Sequence, residues 1–307
     1  MTIYRAILIA GPTASGKSQL ALEIAEKIDG VVVNADSMQV YEDLDVLTAR
    51  PPARAREAVP HLLYGTVSGS TAYSAGRYSR DAEHAISQCA MRGKMPIIVG
   101  GTGLYFRVLL EGLSPIPQIP PVIRQQWRLE AENLGGAGLH DILAKRDPEM
   151  AHRIAATDRQ RLVRALEVLD ATGQSLAVWQ RIPGVPILPL DSTVRIVMNP
   201  DREALYKRCD ERFEAMVAEG ALDEVAALAD KDYQPELPVM RALGVQPLLA
   251  YLKGRTDLAA AISAAKTHTR NYVKRQLTWQ RRHMISWNWV SAQQTESLTE
   301  KILPIIN

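Results

Sequence analysis

Cysteine is nearly absent: 307 residues hold only Cys89 and Cys209, far apart, with no CxxC and no Cys/His cluster. That scarcity excludes a zinc ribbon and a secreted fold stapled by disulfides, and both thiols read as reduced side chains. Long apolar runs are missing too. The run from Ile7 to Ala10 is too short for a signal-peptide core, and no segment reaches the ~20 apolar residues that span a bilayer. A membrane is thereby excluded as a partner, and the cytosol is the expected compartment. Charge of one sign is not in excess either: the formal net charge is +2, so the total names no polyanionic partner and local charge must decide. There is no repeat and no low-complexity tract. What is present is a 47% hydrophobic composition, enough for a substantial core and, at this length, for roughly two domains.

The first hundred residues alternate short apolar runs with helical patterns: "AILIA", then "SQLALEIAEKI", then "GVVVNAD", a helix from about Ser79 to Met91, and "MPIIVGG". This βαβ rhythm predicts a parallel sheet with covering helices. Between the proline-rich stretches 112–121 and 182–189 the pattern turns helical, in "VIRQQWRLEAENL", "GLHDILAKR" and "RQRLVRALEVLDATG". The coincidence of proline borders with a change of period predicts an inserted helical subdomain at 116–190, within a core formed by 1–115 and 191–307. "TVRIVM" then restores a strand, and Asp201 and Gly220 read as the start and stop of a long helix.

Gly11, Pro12, Thr13, Ala14, Ser15, Gly16, Lys17 and Ser18 fit GxxxxGK[ST], preceded by a strand and followed by a helix. In that context the glycines let backbone wrap a phosphate, amides at the helix start donate to its oxygens, Lys17 adds a point charge and Ser18 can ligate magnesium. An ATPase or GTPase would add a metal-positioning aspartate at the end of a later apolar strand. Here "PIIVGGTG" ends in glycines and Thr102, and there is no NKxD guanine signature. The nearest strand-end acid is Asp36. Because the carboxyl ends of parallel strands share one crevice, Ser18, Asp36 and Thr102 should converge there. Taken singly, Asp36 reads as a helix cap or arginine partner and Thr102 as a turn hydroxyl; their shared location argues for a site.

Acidic residues are also absent between Asp257 and Glu296, the span that contains "KTHTRNYVKRQLTWQRRH". On a helix, Lys266, Arg270, Lys274 and Arg281 share one sector and Tyr272 and Trp279 another, which reads as a stripe that tracks a nucleic-acid backbone. The competing reading is a solvated face whose acidic partners come from elsewhere in the fold. The same two readings apply to Arg159, Arg161 and Arg164.

"GPTASGKS", "ADSMQVY", "AYSAGRYSRDA", "PIIVGGTGLYFRVLLEGL", "RQRLVRALEV", "RCDERFEAMVAEGALDEV" and "TRNYVKRQLTWQRR" occur here in an order that resembles the tRNA dimethylallyltransferase, or isopentenyltransferase, family over nearly the whole chain. The resemblance implies a P-loop NTPase-like α/β fold. It also implies transfer of a dimethylallyl group from its diphosphate to the exocyclic amine of the adenosine 3′ of the anticodon, with magnesium. Asp36 would be the general base, Thr102 would lie beside the reacting centre, and Arg212 and Lys17 would serve the diphosphate. Ser37, Met38 and Gln39 would flank the flipped adenine, with Gln39 reading its edge. Contacts to the tRNA anticodon stem-loop would come from Arg124; from Gln160, Arg161, Leu162, Val163 and Arg164; from Arg241, Ala242, Leu243, Gly244, Val245 and Gln246; and from Lys274, Arg275, Gln276, Leu277, Thr278, Trp279, Gln280 and Arg281. The helical insert would be a mobile domain hinged at its prolines, and the chain a monomer.

Three positions depart from the family pattern. Val245 and Gln246 follow Gly244 where GYR or GYK is common, and Leu47 stands where glycine is usual. A modest change of tRNA preference is the expectation. Two other functions fit the residues alone. A P-loop nucleoside or nucleotide kinase would turn over ATP with a small acceptor, and a non-catalytic nucleotide-sensing RNA-binding protein would show nucleotide-dependent RNA affinity without covalent change.

Overall fold

A computed structural model describes residues 5–291 and Glu300. In chain order the strands and helices are β1 (Ala6–Ala10), α1 (Lys17–Ile28), β2 (Val31–Asn34), α2 (Ala53–Ala58), β3 (His61–Leu62), α3 (Ala75–Met91), β4 (Pro96–Gly100) and α4 (Gly103–Glu111). Then come α5 (Pro121–Arg146), α6 (Pro148–Arg153), α7 (Arg159–Thr172) and α8 (Leu176–Arg181). The chain continues with β5 (Thr193–Met198), α9 (Arg202–Met216), α10 (Leu222–Ala229), α11 (Val245–Leu252), α12 (Leu258–His283) and β6 (Asn288–Val290).

The six strands form one sheet in the order β3-β2-β4-β1-β5-β6, parallel at every pairing. Strands buried on both faces need apolar side chains at every position, which is why β1 reads AILIA without alternation. The two faces feed separate cores. Leu8, Val33, Ile98 and Val197 pack with α3 and α4 through Tyr78, Ala82, Phe106 and Leu109. Ile7, Ile9, Val32, Ile97 and Ile196 pack with α1 through Leu20, Ala21 and Ile24. The central strand β1 lies between β4 and β5, so the loop that follows it opens where the strand order changes direction.

The chain divides into two compact units. One runs up to Leu110 and resumes at Ile187; the other is Glu111–Pro186. The second unit has its own core of Trp127, Leu139, Leu143, Leu162, Leu166 and Val168, with Trp127 Nε1 donating to Asp170 Oδ2 at 2.7 Å. Helix α5 breaks its helical geometry at Gly135 (φ 64°, ψ −173°), so the two helical segments expected there remain distinct.

One helix limit differs from the sequence expectation. Helix α3 begins at Ala75 rather than near Ser79, because Ser74 caps it by accepting from Arg77 N at 3.2 Å. The helical run that Asp201 caps breaks at Gly220, where φ is 107°, and helical geometry resumes in α10. Beyond the sheet, α9, α10, α11 and α12 gather around a third core that includes Phe213, Val225, Leu248 and Ala265.

Candidate active site

The phosphate loop leaves β1 and enters α1 through Ala14 and Gly16, both in the left-handed region, at φ 59° and 87°. Helix α1 has no side-chain cap, so its first amides face an open anion position. Lys17 Nζ donates to Pro12 O at 3.2 Å. Burial lowers the Lys17 pKa to about 8; the Asp36 carboxylate opposes that fall and the Arg212 guanidinium adds to it. Ser15 Oγ is buried without a hydrogen-bond partner, and Ser18 is exposed.

Thr13 is the point at which distant helices grip the loop. Its amide donates to Gln276 Oε1 of α12 at 3.0 Å, its Oγ1 accepts from Arg212 Nη2 of α9, and Cys209 Sγ reaches its carbonyl at 3.9 Å. Gln276 is itself buried and donates from Nε2 to Gly101 O at 3.0 Å, so one side chain ties the loop to the end of β4. Only a glycine allows that approach: a Cβ at Gly101 would lie 2.3 Å from Gln276 Nε2. Burial lowers the Arg212 pKa and nearby Asp36 opposes the shift.

Asp36 follows β2. Its Oδ1 accepts from Met38 N at 2.9 Å, an Asx-type turn, and its Oδ2 lies on the Gly101 side, 3.5 Å from where a Cβ there would sit. Asn34 fixes this backbone by accepting from Asp36 N at 2.8 Å and donating to Asp36 O at 3.0 Å. Thr102 Oγ1 accepts from Ser37 N at 2.9 Å and lies 3.3 Å from Ser37 Oγ. Its own amide donates to Ala35 O at 3.2 Å, stitching the ends of β2 and β4 together. Tyr272 reaches Thr102 and Gln276 with its hydroxyl; burial raises its pKa, with the Asp36 charge adding, so the phenol stays protonated at neutral pH.

These groups border a cavity of about 230 Å³. Thr13, Asp36, Ser37 and Arg212 supply its polar side. Met38, Leu47, Phe213, Met216 and Leu243 supply an apolar side, and Arg241, Tyr272 and Arg275 also line it. The Arg275 guanidinium sits 5.6 Å above the Tyr272 ring, a cation–π contact. Asp36, Ser37, Met38, Arg212, Arg241, Ala242, Leu243 and Arg275 are thus brought together, with Lys17 and Thr102 adjoining. A second cavity beside Arg241 and Arg275 is bordered by Gln246, His268 and Asn271.

Other residues of the sequence reading have different surroundings. Gln39 Nε2 donates to Thr48 O and Ala49 O, at 2.8 and 2.9 Å, so both amide protons hold the 44–50 loop instead of a base edge. Val245 is buried in the third core, and Gln246 Nε2 donates to Met240 O at 2.8 Å. Leu277 packs on Leu205 and Cys209. Gln280 is buried, and Trp279 lies across Gly103. Lys274, Thr278 and Arg281 are exposed. The basic stripe is not unopposed: Lys266 pairs with Glu214, and Arg270 Nη1 with both Asp210 oxygens at 2.8 and 2.9 Å. The acids come from α9, which the acid-free span of α12 could not reveal. In the second unit Leu162 is buried and Val163 half-buried; Arg124, Gln160 and Arg161 are exposed, and Arg164 pairs with Glu167 at 3.4 Å.

Sequence reasoning did not assign Phe213, Met216, Cys209 or Glu224 to the site. The first three were legible at helical spacing, Cys209 three before and Met216 four after Arg212, and Phe213 four after Cys209. Glu224 was not: its carboxylate accepts from Asp45 N, from Val46 N at 2.9 Å and from Leu47 N at 2.9 Å, far away in sequence.

Among the described residues no group of three or more His, Cys, Asp or Glu is placed to hold a metal. No helix there is long and apolar enough to cross a membrane. The IPP transferase family model matches residues 39–283, and the isopentenyl transferase model residues 4–59. A tRNA dimethylallyltransferase of Rhodopseudomonas palustris is 47% identical over 97% of this chain and 93% of its own length. One from Azorhizobium caulinodans is 50% identical over 92% and 90%. A solved eukaryotic dimethylallyltransferase acting on tRNA superposes with a TM-score of 0.81 at 30% identity, over 94% of this chain and 73% of that one. A tRNA isopentenylpyrophosphate transferase from Staphylococcus epidermidis gives 0.69 at 33%, over 98% and 99%. With a phosphate loop, a strand-end carboxylate and a cavity between them, and with these matches across almost its full length, the chain belongs to the tRNA isopentenyltransferase family.

Proposed function

We propose that this protein transfers the dimethylallyl group of dimethylallyl diphosphate to the exocyclic amine of the adenosine 3′ of the anticodon in tRNA. The observation that carries the reading is the single cavity on which Thr13 and Arg212, Asp36 and an apolar wall all open. A nucleotide kinase needs a polar pocket for a second nucleotide, whereas this one offers Leu47, Phe213 and Met216.

The diphosphate lies on the amides that begin α1, with Lys17 and Arg212 neutralising charge that grows as the allylic carbon–oxygen bond breaks. Ser15 Oγ, without a partner in the protein, supplies a further donor. The bonding pair leaves with diphosphate, the adenine nitrogen closes the new carbon–nitrogen bond, and its proton passes to Asp36 Oδ2. An aromatic amine is a poor nucleophile because its lone pair is delocalised into the ring. A positioned base is therefore worth about 10²- to 10⁴-fold. Thr102 acts through Ser37 and Tyr272, holding the strand ends that carry Asp36.

Magnesium fits this site only as a companion of the ligand. Among the described residues the protein contributes the Ser18 hydroxyl and no carboxylate cluster, and magnesium commonly takes one or two protein oxygens, waters and substrate phosphates. When bound it supplies positive charge to the diphosphate oxygens. Exposed Arg241 and Arg275 meet the tRNA at the cavity mouth, and an adenine must leave its stack to enter. The protein works in the cytosol, as a monomer on one anticodon stem-loop.

The test is nucleoside mass analysis of unmodified tRNA after incubation with protein, magnesium and dimethylallyl diphosphate, without ATP. A prenyl increment on adenosine supports the reading; its absence with verified substrates refutes it. Asp36→Asn should retain tRNA binding and lose at least 100-fold in single-turnover transfer, and near-normal transfer would remove the base assignment.

A further inference from the structure

Helix α9 carries four cations, and three of them have partners. Arg202 Nε donates to Tyr206 Oη at 3.0 Å, Lys207 pairs with Glu211 at 3.8 Å, and Arg212 donates to Thr13. Arg208 is the exception. Among the described residues its Nε and Nη2 are closed off from solvent and meet no hydrogen-bond acceptor. The remaining acids of the helix and its cap are engaged or turned away. Asp201 accepts from Glu203 N and Ala204 N, Asp210 from Arg270 and Glu214 from Lys266. Glu203 lies five residues back, about 140° round the helix. A shielded, charged donor without an acceptor destabilises a fold, so it calls for an explanation in function.

The two atoms are informative as a pair. Nε and Nη2 form one edge of the planar guanidinium, the edge that gives two parallel hydrogen bonds to an anion with two oxygens. Position then narrows the choice of anion. Arg208 lies one turn before Arg212 and three residues after Leu205, so the three share the side of α9 turned to the phosphate loop. There Ala14 packs against the cluster of Leu205, Cys209, Val273 and Leu277, and Cys209 and Arg212 reach Thr13. Burial raises the pKa of the Cys209 thiol and Asp210 adds to the rise, while Arg212, Lys17 and Arg208 oppose it, so three cations act on one sulfur beside the loop. Within the loop, Ser15 Oγ is likewise buried without a partner.

We propose that Arg208 is a further diphosphate ligand, whose Nε and Nη2 edge donates two parallel hydrogen bonds to the leaving group. The inference rests on the functional reading above. Arg212 already gives Nη2 to Thr13, whereas Arg208 has a whole edge to offer. As the allylic carbon–oxygen bond breaks, its electron pair stays on the diphosphate oxygen, and the two hydrogen bonds strengthen with that charge. Arg208 forms no bond of its own and passes no proton. An RNA phosphate is the other oxyanion at hand, but exposed cations such as Lys274 and Arg281 serve a backbone, and this edge is shut from solvent.

The experiment titrates inorganic diphosphate, with magnesium, into full-length protein by calorimetry, and measures tRNA affinity across salt and single-turnover transfer alongside. Arg208→Met should bind diphosphate about tenfold or more weakly and slow transfer by at least as much, and Arg208→Lys, with a charge but no planar edge, should fall between. The salt slope of tRNA binding should not move. Both ligand-free variants should melt at or above wild type, because the unpaired buried edge is gone. A diphosphate affinity within about twofold of wild type in Arg208→Met would overturn the proposal, as would a salt slope lowered by about 1, which makes an RNA phosphate the ligand. A ligand-free Arg208→Lys that melts about 3 °C or more below wild type would make the guanidinium a structural group and overturn it too. Should Arg208→Met fail to fold, Arg208→Lys decides by the same affinity. Wild type that neither binds diphosphate nor transfers the prenyl group removes the functional reading and this assignment together; wild type that does both, matched by the variants, removes the assignment alone.

Discussion

Lys17 offers a quantitative test of the phosphate loop. Burial lowers its pKa from 10.5 to about 8, which corresponds to about 3 kcal/mol against the charged form at 1.36 kcal/mol per pKa unit. At pH 8 about half of the ligand-free molecules carry a neutral lysine. A bound diphosphate favours the ammonium, so binding should take up about half a proton at pH 8, almost none at pH 6.5 and nearly one at pH 9.5. Affinity for an alkyl diphosphate, whose last ionisation is complete above pH 7.5, should fall up to tenfold per pH unit above 8. Titration calorimetry in two buffers of different ionisation enthalpy reads the proton directly, and Lys17→Met should bind weakly with no uptake. The sign for stability follows from the same numbers. Because the folded value lies below the unfolded one, the unfolded chain holds more protons between pH 8 and 10.5, and Lys17 destabilises less as pH rises through that window. Affinity that stays flat from pH 7 to 9.5, with no proton taken up, would refute the account.

Further outcomes follow from other contacts. Gln276→Met should leave Thr13 N and Gly101 O without their partner, at about 1–3 kcal/mol each when no water replaces it; a melting temperature unchanged within 1 °C would contradict the tie between the loop and β4. Lys274→Ala and Arg281→Ala should each lower the salt slope of tRNA binding by about 1, while Lys266→Ala and Arg270→Ala should leave it nearly unchanged, because α9 already neutralises them; equal effects from all four would restore the continuous stripe. Val245→Tyr should destabilise by about 1–3 kcal/mol in denaturant unfolding through overpacking rather than alter tRNA preference, since Val245 is fully buried.

The sheet was legible because a parallel strand covered on both faces must be apolar throughout, and AILIA, VVV and PIIVG are that. The two-residue β3 and the three-residue β6 lacked enough pattern to be seen. Asp36 and Thr102 were found together because parallel strands end on one side. The apolar side of the cavity was not, since it joins a loop near residue 47, a turn of α9 and the segment before α11, and no local period links them. Charge misled for a related reason. A run without acids says what its own helix lacks, and Asp210 and Glu214 answered it from another helix.

The grip of Gln276 on Thr13 joins residues 263 positions apart, and this has a temporal meaning. On the ribosome the phosphate loop emerges long before the helix that clasps it. Strand β1 likewise waits for its neighbour β5 until the whole of Glu111–Pro186 has been made. A nascent chain stopped before α12 therefore presents an open sheet edge and an unlocked loop, and a growing polypeptide can bind no diphosphate productively until α12 has been made.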